Sequence, residues 1–433
     1  MRLPSLLGLL LSLLALCSLP GVVHGKVVIP KSPTEPFEYW LDDALPPQDR
    51  WEELVDAVID TYGWDDTYGR VLDFVENLMP HGAAMLDAIE SVLVAMGDKF
   101  LDSEVFLEIK GVAAAAAKHN PRASLGRLVL LNMFYDVTAG CTSVVASSTA
   151  PSYCDSTGSV CASEDKRIPI HGRNLDFPIP GLAGMTAVIH LVSNGEVVAR
   201  TIGYTGYVGV LTGYRRGGWS VSVNQRNKHA WTDDDWVFVK NIIAFLQGAE
   251  ALGTVLRRSL LTIPTYTEAI AVLSNASLSA PTYLTVGGAD GVEGAVITRD
   301  REGVDNTHGE DMGVWSVPRW PERDPEGVFF RAETNDDHWN PPRDTRRDTI
   351  NNNLLALGAN ATDAGEMMRL LKIKPTFNEW TTFMSVMSPA FDVMRVEINP
   401  IPPSQGANMD ALGELFWRGV HEPEKMLRSI RGY

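Results

Sequence analysis

The chain has 433 residues, of which 45% are hydrophobic and 21% charged, and its formal net charge is -17. These values are typical of a globular protein with a sizeable core and exclude a disordered chain, which would combine low hydrophobicity with dense charge. The negative net charge disfavours nucleic acid as a partner, because nucleic acid is itself a polyanion and the two would repel each other.

Residues 1–25 are predicted to be a secretory signal peptide. Arg2 supplies the positive n-region, Leu6 to Leu16 form an apolar core, and Val23-His24-Gly25 is a small-residue cleavage site. An uncleaved anchor is the alternative, but the apolar run is short for one. No later stretch reaches the ~20 apolar residues that a spanning helix needs. We therefore expect a protein of the secretory pathway, located in the lysosome or outside the cell.

The segment from Trp51 to Tyr135 is predicted to be helical. Leu54, Val55, Val58 and Ile59 begin a series of apolar residues at three- and four-residue steps, the spacing of one helix face. The block from Met85 to Met96 continues this pattern. These apolar helices are candidates for an acyl channel or a membrane-touching surface, although packing against the rest of the protein explains most of them.

From Cys141 onward the pattern changes to strands. β-branched or aromatic runs bounded by glycine turns alternate with paired helical stretches, and Asn194-Gly195 is a strong hairpin signal. The pattern also predicts a strand at Tyr207 to Leu211 and a helix at Trp236 to Leu246. Strands, paired helices and strands again indicate an α+β fold, with two antiparallel sheets packed face to face and helices on both outer sides.

The cysteines predict one free thiol. Cys17 leaves with the signal peptide, and three cysteines remain, an odd number for a secreted chain. Cys154 and Cys161 flank a Ser/Thr/Gly-rich loop and are close enough to form a disulfide, which leaves Cys141 unpaired. Asn275 and Asn360 begin N-glycosylation motifs, which suit passage through the secretory route.

Cys141 is the candidate nucleophile. A thiol needs a proton acceptor to become the nucleophilic thiolate. Cleavage of the Gly140-Cys141 bond would create such an acceptor on the same residue, an α-amine with a reference pKa of about 7.7 to 8. This self-cleavage is the mark of an N-terminal nucleophile amidase. The alternative is a buried structural cysteine, since free cysteines are often buried.

Three other side chains are candidates for the same site. If Asn174 and Leu175 form a turn, Arg173 and Asp176 point to one place, where Asp176 would hold the amine and Arg173 would fix Asp176 or polarise the substrate carbonyl. The amide of Asn335 is a candidate oxyanion donor. The structural alternatives are a surface ion pair for Arg173 and Asp176 and a turn residue for Asn335. His171 has no role in this mechanism and is expected to be structural.

The chain resembles the acid ceramidase and N-acylethanolamine acid amidase family, lysosomal amidases of the N-terminal nucleophile class. The resemblance depends mainly on Leu131 to Ala146, His171 to Phe177 and Glu333 to Trp339. It implies the following roles: Cys141 as nucleophile after cleavage from Gly140, Arg173 and Asp176 as its partners, Asn335 in the oxyanion site, and Arg346 as a supporting cation.

The resemblance also implies the organisation of the mature protein. Residues 26–140 would be a small helical subunit, and residues 141–433 a catalytic subunit with a four-layer αββα body. The two would form a non-covalent heterodimer from one precursor. Because both Cys154 and Cys161 follow Cys141, no disulfide would link the subunits.

The expected substrate is a lipid amide presented at a membrane or micelle surface. Tyr207 to Gly213 and Phe37 to Leu54 resemble the ceramidase branch, so ceramide is the first choice and an N-acylethanolamine the second. No cofactor or metal is expected, because the histidines are scattered and the cysteines lack ligand spacing. Two other classes are considered: an inactive lipid-binding glycoprotein, and a papain-like protease, for which His308, His338 and His421 lack the expected setting.

The chain departs from the family pattern at two places. Gln225 stands where the family usually has a glutamate, whose protonation beside Asp176 would favour activity in acid. We therefore expect a less steep dependence on low pH, which Gln225→Glu should sharpen in a pH profile of self-cleavage. The cysteine-bearing insert between Ala146 and His171 is also longer than the family's short hairpin, which changes the expected mouth of the site.

Overall fold

The structure is a computed structural model that describes residues 25–78, 87, 91, 103–138, 140–177, 179–226, 241, 244, 247–319 and 327–399. The predicted signal peptide, the helix from Trp236 to Leu246 and the last thirty or so residues lie wholly or almost wholly outside these residues. So does the block from Met85 to Met96, of which only Asp87 and Ser91 are described. Within the described residues, no helix combines the length and apolar character needed to cross a bilayer.

Among the described residues, the larger of two sheets has nine strands and is antiparallel except at one pair. Its strands are, in spatial order, β1 (Val27–Val28), β2 (Phe37–Asp42), β5 (Thr186–Ser193), β6 (Glu196–Tyr204), β7 (Thr212–Arg215), β8 (Ser220–Gln225), β9 (Thr282–Gly287), β10 (Gly294–Arg299) and β11 (Val314–Ser316). Asn194 and Gly195 form the predicted hairpin between β5 and β6, and both have positive φ, as this turn requires. The prediction for Tyr207 to Leu211 was wrong, because this segment is a loop before β7.

The smaller sheet carries the predicted nucleophile. Its five antiparallel strands are, in spatial order, β12 (Phe330–Glu333), β3 (Gly140–Ser148), β4 (Ile168–Asp176), β13 (Thr381–Ser388) and β14 (Val393–Ile398). In this register Gly140 lies opposite Asp176, and Ser143 lies between Arg173 on β4 and Glu333 on β12. The conditional turn at Asn174 and Leu175 was wrong, since both residues are in β4.

The described helices are α1 (Glu52–Tyr62), α2 (Tyr68–Leu78), α3 (Ser103–His119), α4 (Leu125–Thr138), α5 (Leu252–Thr262), α6 (Tyr266–Asn275), α7 (Glu310–Gly313), α8 (Arg346–Leu357) and α9 (Ala364–Leu371). α1 buries the four apolar residues that predicted it and ends at Gly63, which has a positive φ. Asp363 caps the N-terminus of α9, and its carboxylate accepts hydrogen bonds from the backbone N–H groups of Gly365 and Glu366.

The two sheets pack face to face, and helices cover their outer faces. β3 contacts β8, β9 and β10, while α9 packs on β4 and β13, and α5 and α6 pack on the larger sheet. A Cβ at Gly294 would lie 2.9 Å from Cγ2 of Val145 on the facing sheet, so the absence of a side chain at Gly294 lets the two sheets approach here. The predicted α+β architecture with four αββα layers is therefore confirmed.

The described residues of segment 26–140 are mostly helical, but they also include β1 and β2. β2 pairs in parallel with β5, with Phe37 opposite Ala187 and Asp42 opposite Val192. The apolar side chains of α1, α2 and α3 belong to the same buried cluster as those of the larger sheet. This segment is thus built into the main core.

Candidate active site

The thiol of Cys141 lies between the two sheets near the start of β3. The residue is fully buried, and among the described residues its sulfur forms no disulfide. A guanidinium nitrogen of Arg173 donates a hydrogen bond to Sγ at 3.0 Å. A cation at this distance favours the thiolate, the reactive form, over the thiol.

Arg173 is held by polar side chains on both sheets. Its second terminal nitrogen donates to Oγ of Ser143 at 3.0 Å and to Oδ1 of Asn224 at 2.5 Å. Asn224 in turn donates from Nδ2 to the backbone oxygens of Glu333 and Thr334 at 2.9 and 2.7 Å. One amide therefore connects the cation beside the thiol to the segment that leads into Asn335.

The backbone of Cys141 is bound by two further predicted residues. Its N–H donates to Oδ1 of Asn335 at 2.9 Å, and its carbonyl oxygen accepts from Arg346 at 2.9 Å. Arg346 also donates to Oδ1 of Asn335 at 3.0 Å, while Nδ2 of Asn335 donates to the backbone oxygen of Gln225 at 2.9 Å. The oxygen of the Asn335 amide, rather than its N–H groups, thus faces the nitrogen that cleavage would free.

Asp176 approaches the site from the other face of β4. Successive side chains of a strand alternate, so residues 173 and 176 point to opposite faces of the sheet. The carboxylate accepts from Oγ1 of Thr381 at 2.7 Å and from Nδ2 of Asn378 at 2.9 Å, and it lies 3.4 Å from Arg346. Burial raises the pKa of Asp176, although Arg346 and the two hydrogen bonds oppose this.

The site is built from more residues than the sequence indicated. The sequence could have indicated Ser143 as a site residue, because it is two residues beyond Cys141 on the same face of the strand. Asn224 lies next to the noted Gln225. Asn378 and Thr381 are more than 200 positions from Asp176, and only the pairing of β13 with β4 brings them together.

His171 is buried behind this site, consistent with the structural role expected for it. Its two ring nitrogens lie 2.9 Å from Oγ of Ser220 and 2.7 Å from Oγ of Ser222. Ser222 donates to Ser143 at 2.8 Å, which connects the ring to the partners of Arg173. Burial, assisted by Arg173, lowers the pKa of His171 to about 3, so the ring is neutral at ordinary pH.

The remaining predicted positions take no part in these contacts. Cys154 and Cys161 form the expected disulfide, which closes the loop of the insert. Asn275, at the end of α6, and Asn360, in the turn after α8, are both exposed, as acceptors of glycans must be.

Comparison with known proteins adds a set of relatives. No protein-family model matches the chain. An N-acylethanolamine-hydrolyzing acid amidase of Mus musculus is 30% identical over 88% of this chain and 92% of its own length, and that of Rattus norvegicus is 32% identical over 69% and 72%. An acid ceramidase of Macaca fascicularis is 26% identical over 84% and 86%. The solved structure of a Caenorhabditis elegans N-acylethanolamine-hydrolyzing acid amidase ortholog, 30% identical, matches 60% of this chain and 100% of that one with a TM-score of 0.48.

Proposed function

Because this chain belongs to the family of N-acylethanolamine-hydrolyzing acid amidases and acid ceramidases, we propose that it is a self-processing lipid amidase with Cys141 as its N-terminal nucleophile. Members of this family are amide-bond hydrolases of the cysteine N-terminal nucleophile type. The observation that carries the proposal is the convergence on one residue: Arg173 binds its sulfur, Asn335 its nitrogen and Arg346 its carbonyl oxygen.

Self-cleavage would proceed through a thioester. Sγ of Cys141 attacks the carbonyl carbon of Gly140, the Gly140-Cys141 C–N bond breaks, and the proton of the thiol ends on the nitrogen, which becomes the α-amine. Water then hydrolyses the thioester, releasing the Gly140 carboxyl group and restoring the thiol. Oδ1 of Asn335 already accepts a hydrogen bond from this nitrogen, so it orients the leaving group and later the amine.

Lipid-amide hydrolysis would use the same sulfur. The α-amine takes the thiol proton, the thiolate attacks the substrate carbonyl, and the proton passes to the departing amino alcohol as the C–N bond breaks. Water hydrolyses the resulting acyl-thioester to a fatty acid. Arg173 stabilises the thiolate, Arg346 supplies positive charge beside the reacting carbonyl, and Asp176 fixes Arg346 from the opposite face.

The predicted subunits follow from this scission. Residues 26–140 would form the small subunit and residues 141–433 the catalytic one, after removal of residues 1–25 on the secretory route. The two would stay associated without a covalent bond. The lysosome or the extracellular space is the proposed location, and a membrane or micelle surface would present the lipid.

We propose ceramide as the first candidate substrate, on the sequence resemblance of Tyr207 to Gly213 and Phe37 to Leu54. An N-acylethanolamine is the second candidate, and the identities favour it: the N-acylethanolamine-hydrolyzing relatives named above are 30–32% identical, against 26% for the acid ceramidase. Both substrates are fatty acyl amides of an amino alcohol and share the chemistry described above.

The experiment is to incubate the purified precursor at acidic and neutral pH, follow the two fragments by mass, and then offer ceramide and N-acylethanolamines in competition. Cys141→Ala should abolish both fragmentation and hydrolysis. The matched control, Cys154→Ala with Cys161→Ala, removes the disulfide away from the site and should retain both activities. Hydrolysis by an unbroken chain, or by Cys141→Ala, would refute the mechanism, whereas an intact and inactive wild type would favour the lipid-binding glycoprotein.

A further inference from the structure

Glu333 is a buried acid at a sensitive position behind the site. It is the last residue of β12, lies opposite Ser143, and precedes Asn335 by two residues. Its backbone oxygen accepts from Asn224, the residue that also holds Arg173. A displacement of Glu333 would therefore reach both the cation beside the thiol and the amide at its nitrogen.

The carboxyl group of Glu333 is poorly satisfied as an anion. The side chain is fully buried, Oε1 accepts from the backbone N–H of Thr334 at 2.8 Å, and Oε2 has no hydrogen-bond partner among the described residues. The nearby cation, Arg347 on α8, lies 3.8 Å away and gives its own hydrogen bonds to the backbone oxygens of Asp336 and Asn340. A buried carboxylate with so little compensation is costly.

Two neighbouring acids also oppose ionisation of Glu333, whereas a nearby cation favours it. Asp336 and Asp337 lie on the loop that follows, Tyr283 faces the group from β9, and Arg347 supplies positive charge from α8. Asp336 is paired with Arg343, and Asp337 with Arg226 and Tyr283. Burial, with Asp337 and Asp336 adding to it, raises the pKa of Glu333 to about 8 despite Arg347.

We propose that Glu333 is a pH-dependent positioning residue: while its carboxyl group is neutral, the segment from Thr334 to Asn335 stays in place, and ionisation displaces it. This inference rests on the proposed function. Under this proposal Glu333, which lies behind Asn335, makes the arrangement of the site more stable at low pH. The residue at position 225 cannot do so, because it is a neutral glutamine; its backbone oxygen accepts a hydrogen bond from the Asn335 amide.

The direction of the effect follows from linkage. The folded-state pKa of Glu333 is above the ordinary value of 4.5, so the folded protein binds the proton more tightly than the unfolded chain. Its contribution to stability is fully present below about pH 4.5 and is lost as the pH rises through about 8. Activity should therefore fall on the alkaline side as the segment loses its position.

The test is the pH profile of self-cleavage and of lipid-amide hydrolysis in wild type, Glu333→Gln and Asp336→Asn. Glu333→Gln keeps the shape of the side chain but cannot ionise, so the alkaline limb should move up by at least one pH unit. Asp336→Asn removes a neighbouring negative charge, which should let Glu333 ionise earlier and move the limb down.

Unchanged alkaline limbs in both variants would overturn the inference. If Glu333→Gln does not fold, Asp336→Asn decides alone, because its limb must shift downward. The proposed function fails separately: a wild-type chain that is never cleaved, at any pH, refutes the self-processing amidase. Cleavage with unmoved limbs refutes only the role of Glu333.

Discussion

The sulfur of Cys141 receives a hydrogen bond from a guanidinium, which cannot act as its base because arginine stays protonated. The proton acceptor must therefore come from elsewhere, and the α-amine that the proposed cleavage frees would satisfy this need. The shape of the arginine side chain also suits this position. Its planar fork reaches Sγ with one nitrogen and Ser143 and Asn224 with the other, so the cation is held in one orientation.

Arg173→Gln should lower kcat by about 10²- to 10³-fold, the usual cost of one preorganised donor at a reacting centre. The rate of hydrolysis and the pH dependence of Cys141 alkylation would both be measured, with a thermal melt to check folding. Arg173→Lys retains the charge without the fork and should recover only part of the loss. A folded Arg173→Gln enzyme within tenfold of wild type would show that this contact is structural.

His171→Gln should change the dependence of stability on pH. The folded-state pKa of His171, about 3, is depressed below the ordinary 6.5, so its contribution is fully present above about pH 6.5 and is lost as the pH falls toward 3. The variant cannot bind this proton and should lose less stability than wild type between pH 7 and pH 4. Thermal melts across this range would test it, and parallel curves would count against a neutral buried histidine.

At the scale of elements, strand β2 and helix α3 tie the N-terminal segment to the rest of the molecule. β2 adds a parallel strand beside β5, and Glu108 on α3 binds Arg257 on α5 through two hydrogen bonds of 2.5 and 2.8 Å. Glu108 also accepts from Arg50 and Trp51. The sequence indicated the helices through their periodicity but not this buried ion pair, whose partners are 149 residues apart.

Arg257→Met should destabilise the protein by about 3–5 kcal/mol, because it leaves the buried Glu108 carboxylate with less positive charge. Glu108→Gln combined with Arg257→Met should recover part of this loss, since no buried charge is left unpaired. Urea unfolding would measure both. The control is the exposed pair of Arg369 and Glu366, where Arg369→Met should cost less than about 1 kcal/mol. Equal effects for the two arginines would contradict the importance of the buried pair.

At the scale of the whole molecule, the proposed cleavage before Cys141 would break the covalent chain but leave the fold intact. Apolar residues before and after Cys141 belong to one buried cluster, and the parallel pair of β2 and β5 joins the two sides. The disulfide between Cys154 and Cys161 lies entirely after the cleavage point. Association of the fragments would therefore be non-covalent and would depend on packing, hydrogen bonds and ion pairs such as that of Glu108 and Arg257.

The processed protein should elute as one species in native buffer and separate into two fragments in denaturant without reductant. Electrophoresis with and without reductant would measure this, and size exclusion would report the native state. Addition of reductant alone should leave the native complex intact. Fragments that separate only after reduction would reveal a covalent link that this disulfide pattern does not provide.

Local sequence patterns were sufficient to predict the hairpin at Asn194-Gly195, the disulfide loop and α1, because each depends on neighbouring residues. Only the tertiary fold decided the orientation of Asn335, the position of Asp176 and the hydrogen bond from Arg173 to Asn224. These contacts join strands distant in the chain, and a strand's register decides which atoms face each other. A shift by one residue would turn every side chain to the other face, so only the assembled sheets determine these contacts.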